Sequence, residues 1–150
     1  PSRQELPLLA ESAQATLKDI GIDVDINCTA DNNSVVQDPA AWDVYAMANV
    51  QAPTGDPEYW FTVFATSDAT KNQGAYKNEK LDQLEEQLSQ EFDTDKRAKL
   101  AVEMQQTVLD DNAFVYCSFL KMSQISRANV TGYTAHACDY YQVTADLDIN

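Results

Sequence analysis

Gln51-Ala52-Pro53-Thr54-Gly55-Asp56-Pro57-Glu58-Tyr59-Trp60 is the stretch on which the reading of this chain turns. Residues 42–50 before it are apolar apart from Asp43 and Asn49, the pattern of an interior strand covered on both faces. After it, residues 57–66 read as a short helix, with Pro57 at the first position and Asp56 as N-cap. Strand, turn, helix is an α/β junction, and open α/β sheets collect ligands where strands end. The candidate ligand contacts are therefore Asn49, Gln51, Pro53, Thr54 and Asp56. Asp56 reads first as a helix cap, worth about 1 kcal/mol, and second as a charge offered to a ligand. Tyr59 and Trp60 read as helix core ahead of stacking platforms, and so do Trp42 and Tyr45.

The chain on either side supplies a scaffold. Leu9, Ala13, Leu17 and Ile20 form one apolar stripe, which predicts a helix over 5–20, closed by Gly21. Residues 22–28 alternate strictly and predict a half-buried strand. Residues 29–41 are a polar loop, or a loop with a helical turn around 33–41. Residues 67–77 are a second loop. Asn78 is expected to cap a helix over 79–92 that buries Leu81, Leu84, Leu88 and Phe92. Asp93 is expected to cap another over 94–111, with Leu100, Ala101, Met104 and Val108 inward. Residues 113–120 predict a buried strand continued by 122–127. Gly132 turns the chain, and the tail includes a strand at 140–145. The expectation is one α/β domain over 1–150.

The 150 residues carry ten Lys and Arg against 24 Asp and Glu, a net charge of −14. That field repels polyanions, so nucleic acid is excluded as a partner. With 44% hydrophobic residues the balance is that of a folded protein. No apolar run approaches the roughly 20 residues of a membrane span. Cys28, Cys117 and Cys138 contain no CxxC; Cys28 and Cys117 are expected as buried thiols in strands, and any disulfide pairing stays open. His136, the one histidine, has Cys138 and Asp139 beside it, which is not a zinc spacing, and it reads as a surface or hinge residue. Asp146, Asp148 and Asn150 mimic the start of a calcium loop without its glycine and closing glutamate. Neither a metal site nor a cofactor is expected. GxSxG, HExxH and P-loop motifs are absent, so the chain reads as a non-enzyme; a carboxylate-based hydrolase would rest on the acid excess alone.

Five phrases, in order, carry a family resemblance. Leu17-Lys18-Asp19-Ile20-Gly21-Ile22-Asp23-Val24 resembles the "LKKIGIxV" phrase of the dipeptide/oligopeptide/nickel class of solute-binding proteins of ABC transporters. Gly55-Asp56-Pro57-Glu58-Tyr59-Trp60 resembles that family's "DPxxF" turn, and Gly74-Ala75-Tyr76-Lys77-Asn78-Glu79-Lys80-Leu81-Asp82 its "GYxNPEfD". Asp93-Thr94-Asp95-Lys96-Arg97, with Gln105 and Asp111-Asn112-Ala113, resembles "DPEKR…Q…DAP", and Asn129-Val130-Thr131-Gly132-Tyr133 resembles "NVKGY". The resemblance spans residues 5–133. It implies a type II periplasmic-binding-protein-like lobe with a mixed sheet flanked by helices, part of the second lobe of a two-lobed protein. Beginning at Pro1 with no tail, the chain reads as a piece of a longer one.

The same resemblance implies an extracytoplasmic protein, in the periplasm or anchored at the cell surface. It would be monomeric, close its lobes on a small peptide or peptide-like solute, and deliver it to an ABC permease in the membrane. The loop after strand 42–50 would face the cleft. One position departs from the peptide pattern. Peptide binders carry an acid three residues before the Asp of Asp-Pro, where it pairs with the peptide α-amine; here that position is Pro53. Nickel-type relatives lack the acid too, and some carry a metal-contacting histidine in the loop after the following helix. Loop 67–77 has no histidine, and a metal carried by its own chelator needs none there. The alternative is therefore a nickel or metal-chelate carrier. A structural or adhesion module of a surface protein is a further alternative.

Overall fold

The computed structural model describes residues 3–38, 40–121, 123–136 and 143–150. Its helices are α1 (Glu5–Lys18), α2 (Asn32–Val36), α3 (Glu58–Trp60), α4 (Glu79–Gln90) and α5 (Thr94–Asp110). A π-helical turn, Phe61–Ala65, extends α3, and the Thr66 amide donates five residues back to Phe61 at 3.0 Å.

The predicted caps form. The Leu81 amide donates to Asn78 Oδ1 at 3.0 Å and the Lys96 amide to Asp93 Oδ1 at 3.0 Å. These fix where α4 and α5 start, because each satisfies an amide that the first helical turn leaves without a partner. The core is the packing of these two helices with the π turn: Leu81, Leu84 and Leu88 meet Ala101, Met104 and Val108 over Phe61 and Ala65. Trp60, Tyr76, Leu100, Ala113 and Phe114 pack around that cluster. Phe92 was expected in the buried face and is 91% exposed. The cause is local: α4 stops at Gln90, and the Glu91 carboxylate accepts the amides of Phe92 and Asp93 at 3.0 and 2.9 Å. Phe92 thus lies beyond the helical register.

The expected mixed sheet does not form among the described residues. One antiparallel ladder is present, β1 (Val130–Thr131) with β2 (Asp148–Ile149), pairing Val130 with Ile149 and Thr131 with Asp148. Residues 22–28, 42–50 and 113–120 are neither helix nor strand. Alternation and β-branching set which face a strand buries, but a ladder also needs a neighbour for its amides and carbonyls. Among the described residues no strand pairs with these segments, and several of their apolar side chains are uncovered: Val44 and Val115 are each 86% exposed and Phe119 81%. For the same reason Cys28 and Cys117 are exposed free thiols, not buried ones. Cys138 lies outside the described residues. The strand expected at 140–145 falls partly outside them, and residues 143–145 form none; the strand comes later, at β2.

Gly132 does turn the chain, at φ +75°. A Cβ there would collide with the Asp146 carbonyl, so glycine lets the two stretches approach and pair. Helix α1 forms as the stripe predicts but ends at Lys18, with Gly21 at φ +84°. It buries no residue among those described, and Ile20 is 72% exposed. Its one side-chain tie to the next segment is Gln14 Nε2 donating to the Val24 carbonyl at 2.6 Å.

Candidate functional site

The turn before α3 is built from short-range bonds. The Gly55 amide donates to the Ala52 carbonyl at 3.0 Å, closing a tight turn over Pro53 and Thr54. Gly55 sits at φ +82°, in the left-handed region that favours glycine. The Asp56 amide donates to Thr54 Oγ1 at 3.4 Å, and the Glu58 amide to Asp56 Oδ1 at 2.9 Å. The last bond is the helix-capping role expected of Asp56.

Asp56 does more than cap. Arg97 Nη2 reaches both its oxygens, at 2.9 and 2.8 Å, and Glu58 Oε2 at 2.7 Å. Burial would raise the Asp56 pKa, but the Glu58 amide and the Arg97 guanidinium outweigh it and hold the carboxyl below its ordinary range. Its hydrogen bonds to the Glu58 and Asp56 carboxylates push the Arg97 pKa up in turn. The Asp56 carboxylate is thus already paired within the protein.

Of the five candidate ligand contacts, Asn49, Gln51 and Thr54 are exposed, while Pro53 and Asp56 are half-buried. All five lie within residues 49–56, and the turn itself runs from Ala52 to Gly55. Its exposed side chains are neutral, an amide at Asn49, another at Gln51 and a hydroxyl at Thr54, while the Asp56 carboxylate, 42% exposed, is paired with Arg97.

Trp60 belongs to the core as expected. Its ring centroid lies 5.3 Å from those of Phe61 and Phe114 and 6.0 Å from that of Tyr116. Tyr59 meets Phe64 edge-on at 6.4 Å, and Trp42 lies 5.9 Å from Tyr45. The Tyr45 hydroxyl accepts from Asn32 Nδ2 at 2.9 Å.

Loop 67–77 is more than a polar connection. Asp82 accepts the Ser67 amide at 2.9 Å and the Ser67 hydroxyl at 2.6 Å. Asn72 staples the loop, donating to the carbonyls of Thr66 and Tyr76 at 3.1 and 2.7 Å and accepting the Tyr76 amide at 3.0 Å. The Tyr76 hydroxyl and Asn78 Nδ2 both donate to Asp111 Oδ2 at 2.6 Å. Burial first and Asp111 second push the Tyr76 phenol up to about 12. Ser67, Asn72 and Tyr76 are therefore scaffold.

Arg97 escaped the sequence reading. Its only signal was membership of the Asp93–Arg97 phrase, and nothing in spacing joins it to a turn 41 residues earlier. His136 is exposed. Among the described residues no group of three or more His, Cys, Asp or Glu side chains could hold a metal ion. No described helix is long and apolar enough to cross a membrane.

No family model matches the chain. Over 99 residues, 66% of this chain, it is 30% identical to the nickel-binding protein NikA of Staphylococcus aureus, covering 20% of that protein. The crystal structure of S. aureus NikA in complex with Ni(L-His)2 matches it with a TM-score of 0.80 at 24% identity. In sequence and in fold the chain is thus similar to part of a nickel-binding solute-binding protein. The structural match takes in 99% of the chain and 32% of NikA, and it assigns the periplasmic-binding-protein-like fold class. The chain spans between a fifth and a third of NikA's length. These solute-binding relatives are not enzymes.

Proposed function

We propose that this chain is part of the second lobe of an extracytoplasmic solute-binding protein that serves an ABC importer, and that its solute is a nickel chelate. The likeness to NikA carries this reading, because the match reaches sequence as well as fold. The turn agrees with it. A peptide α-amine calls for a free carboxylate, yet Pro53 stands at the position of the acid, and Asp56 is paired with Arg97. A nickel ion held by two histidinate anions has no net charge and brings its own donors. It asks only for neutral hydrogen-bonding groups, such as those of Asn49, Gln51 and Thr54. Specificity would then come from shape and neutral polar contacts, and closure of the two lobes would follow from the solute touching both.

Calorimetry on the protein at the full length its gene encodes tests the reading, with the nickel–histidine chelate, free nickel and a dipeptide as probes. Saturable heat from the chelate and none from the dipeptide is expected. Dipeptide binding without chelate binding would move the assignment to peptides. Binding of neither would remove the solute reading.

A further inference from the structure

Four features of Arg97 belong together. It lies in the first turn of α5, where its amide donates to the Asp93 carbonyl at 2.9 Å. Its Nη1 donates to the carbonyls of Leu88 and Glu91, at 2.6 and 2.8 Å, at the C-terminal end of α4, where the Leu88 carbonyl also accepts the Glu91 amide at 3.2 Å. Its Nη2 holds Asp56 and Glu58. Its side chain is 18% exposed, against 42% for Asp56 and 29% for Glu58, so the cation is the more buried member of each pair. One guanidinium thus faces scaffold on one side and the turn on the other.

Arg97 supplies the long-range hydrogen bonds of the turn. Among the described residues, every hydrogen bond joining residues 51–58 to a residue outside 51–62 comes from Arg97. The segment before the turn has no ladder to hold it. We propose that Arg97 is the positioning residue of the solute-facing turn: through its contacts with the end of α4 it fixes Asp56 and Glu58, and with them the direction in which Gln51 and Thr54 point. The proposal rests on the solute-binding reading for its consequence in affinity, but not for the clamp itself. A lysine would keep the charge and lose the planar fork, and one ammonium cannot span both sides.

The test uses the full-length protein in three forms: wild type, Arg97→Lys, and Val108→Ala as a core variant that leaves the turn untouched. Hydrogen exchange reads the clamp without any solute. In Arg97→Lys the amides of Gly55 and Glu58 are expected to exchange about tenfold faster, with Met104 and Val108 unchanged. Titration with the nickel–histidine chelate reads the consequence, well below the melting temperature of every form. Arg97→Lys is expected to raise Kd about tenfold, whereas Val108→Ala lowers Tm and leaves Kd within about twofold. Unchanged exchange at Gly55 and Glu58 overturns the clamp. Faster exchange with unchanged Kd overturns its role in binding. If wild type binds no chelate, the solute reading falls on its own and the exchange result still decides whether Arg97 holds the turn.

Discussion

Asn78 has two tasks that pull on different atoms. Its Oδ1 caps α4 through the Leu81 amide, and its Nδ2 donates to Asp111 beyond the end of α5. Asn78→Ala removes both at once. The cap alone is worth about 1 kcal/mol, so a loss of about 1–2 kcal/mol is expected in urea unfolding. Asn78→Asp keeps the cap but sets a carboxylate against Asp111, and it should recover less than the cap's full share. Asp56 shows how a residue's type can be read correctly and its role only in part. An Asp before Pro at a helix start predicts a cap, and the cap is there. The guanidinium that neutralises it belongs to another helix.

At the scale of elements, α4 and α5 are the best determined pieces, because period, caps and core face agree. Leu88 has no exposed surface and sits where α4, α5 and the π turn converge. Leu88→Ala leaves a cavity among fixed neighbours and should cost about 2–5 kcal/mol, seen as a lower denaturation midpoint. Leu109, on the outer face of α5 and 49% exposed, should lose far less on the same truncation in the same assay. The alternating segments behave differently. Residues 22–28 have a period as clear as that of α4, yet they form no strand. A helix satisfies its backbone within itself, whereas a strand depends on a second segment that its own sequence does not name.

For the whole molecule, charge is the dominant property. Between neutral pH and the isoelectric point near 4.1, protonation relieves repulsion within a chain of net charge −14. Below that, specific carboxylates matter. Asp56 is held low against its burial by the Glu58 amide and Arg97; Glu91 is held low by the Asp93 amide and Asp111 by the Tyr76 hydroxyl. A pKa depressed by folding gives stability that is complete above the unfolded-state value and is lost as pH falls through the folded one. Glu85 has the opposite sign. Its burial, with Glu58 and Asp68 nearby, raises its pKa, so its share is present at low pH and lost as pH rises through the raised value. Three depressed groups against one raised group predict a denaturation midpoint that falls steeply below pH 3.8, the ordinary aspartate value. Urea unfolding across pH 7 to about 3 checks it, and a midpoint that keeps rising below the isoelectric point would contradict the assignment.

The sequence by itself determined the helices α1, α4 and α5, the caps at Asn78 and Asp93, the turns at Gly21 and Gly132, and the family resemblance, through phrases such as Gly55–Trp60. Each of these rests on interactions within a few residues or on a run of identities, so the order of the chain contains the information. The five candidate contacts fall within residues 49–56 because they are close in sequence. Tertiary structure alone decided that Asp56 is occupied by Arg97, that the polar loop 67–77 is tied to α4 and α5, and that the alternating segments have no ladder. Each depends on which distant groups meet. A carboxylate, an asparagine and an alternating apolar run keep the same pattern in sequence whether or not a partner lies within 3 Å.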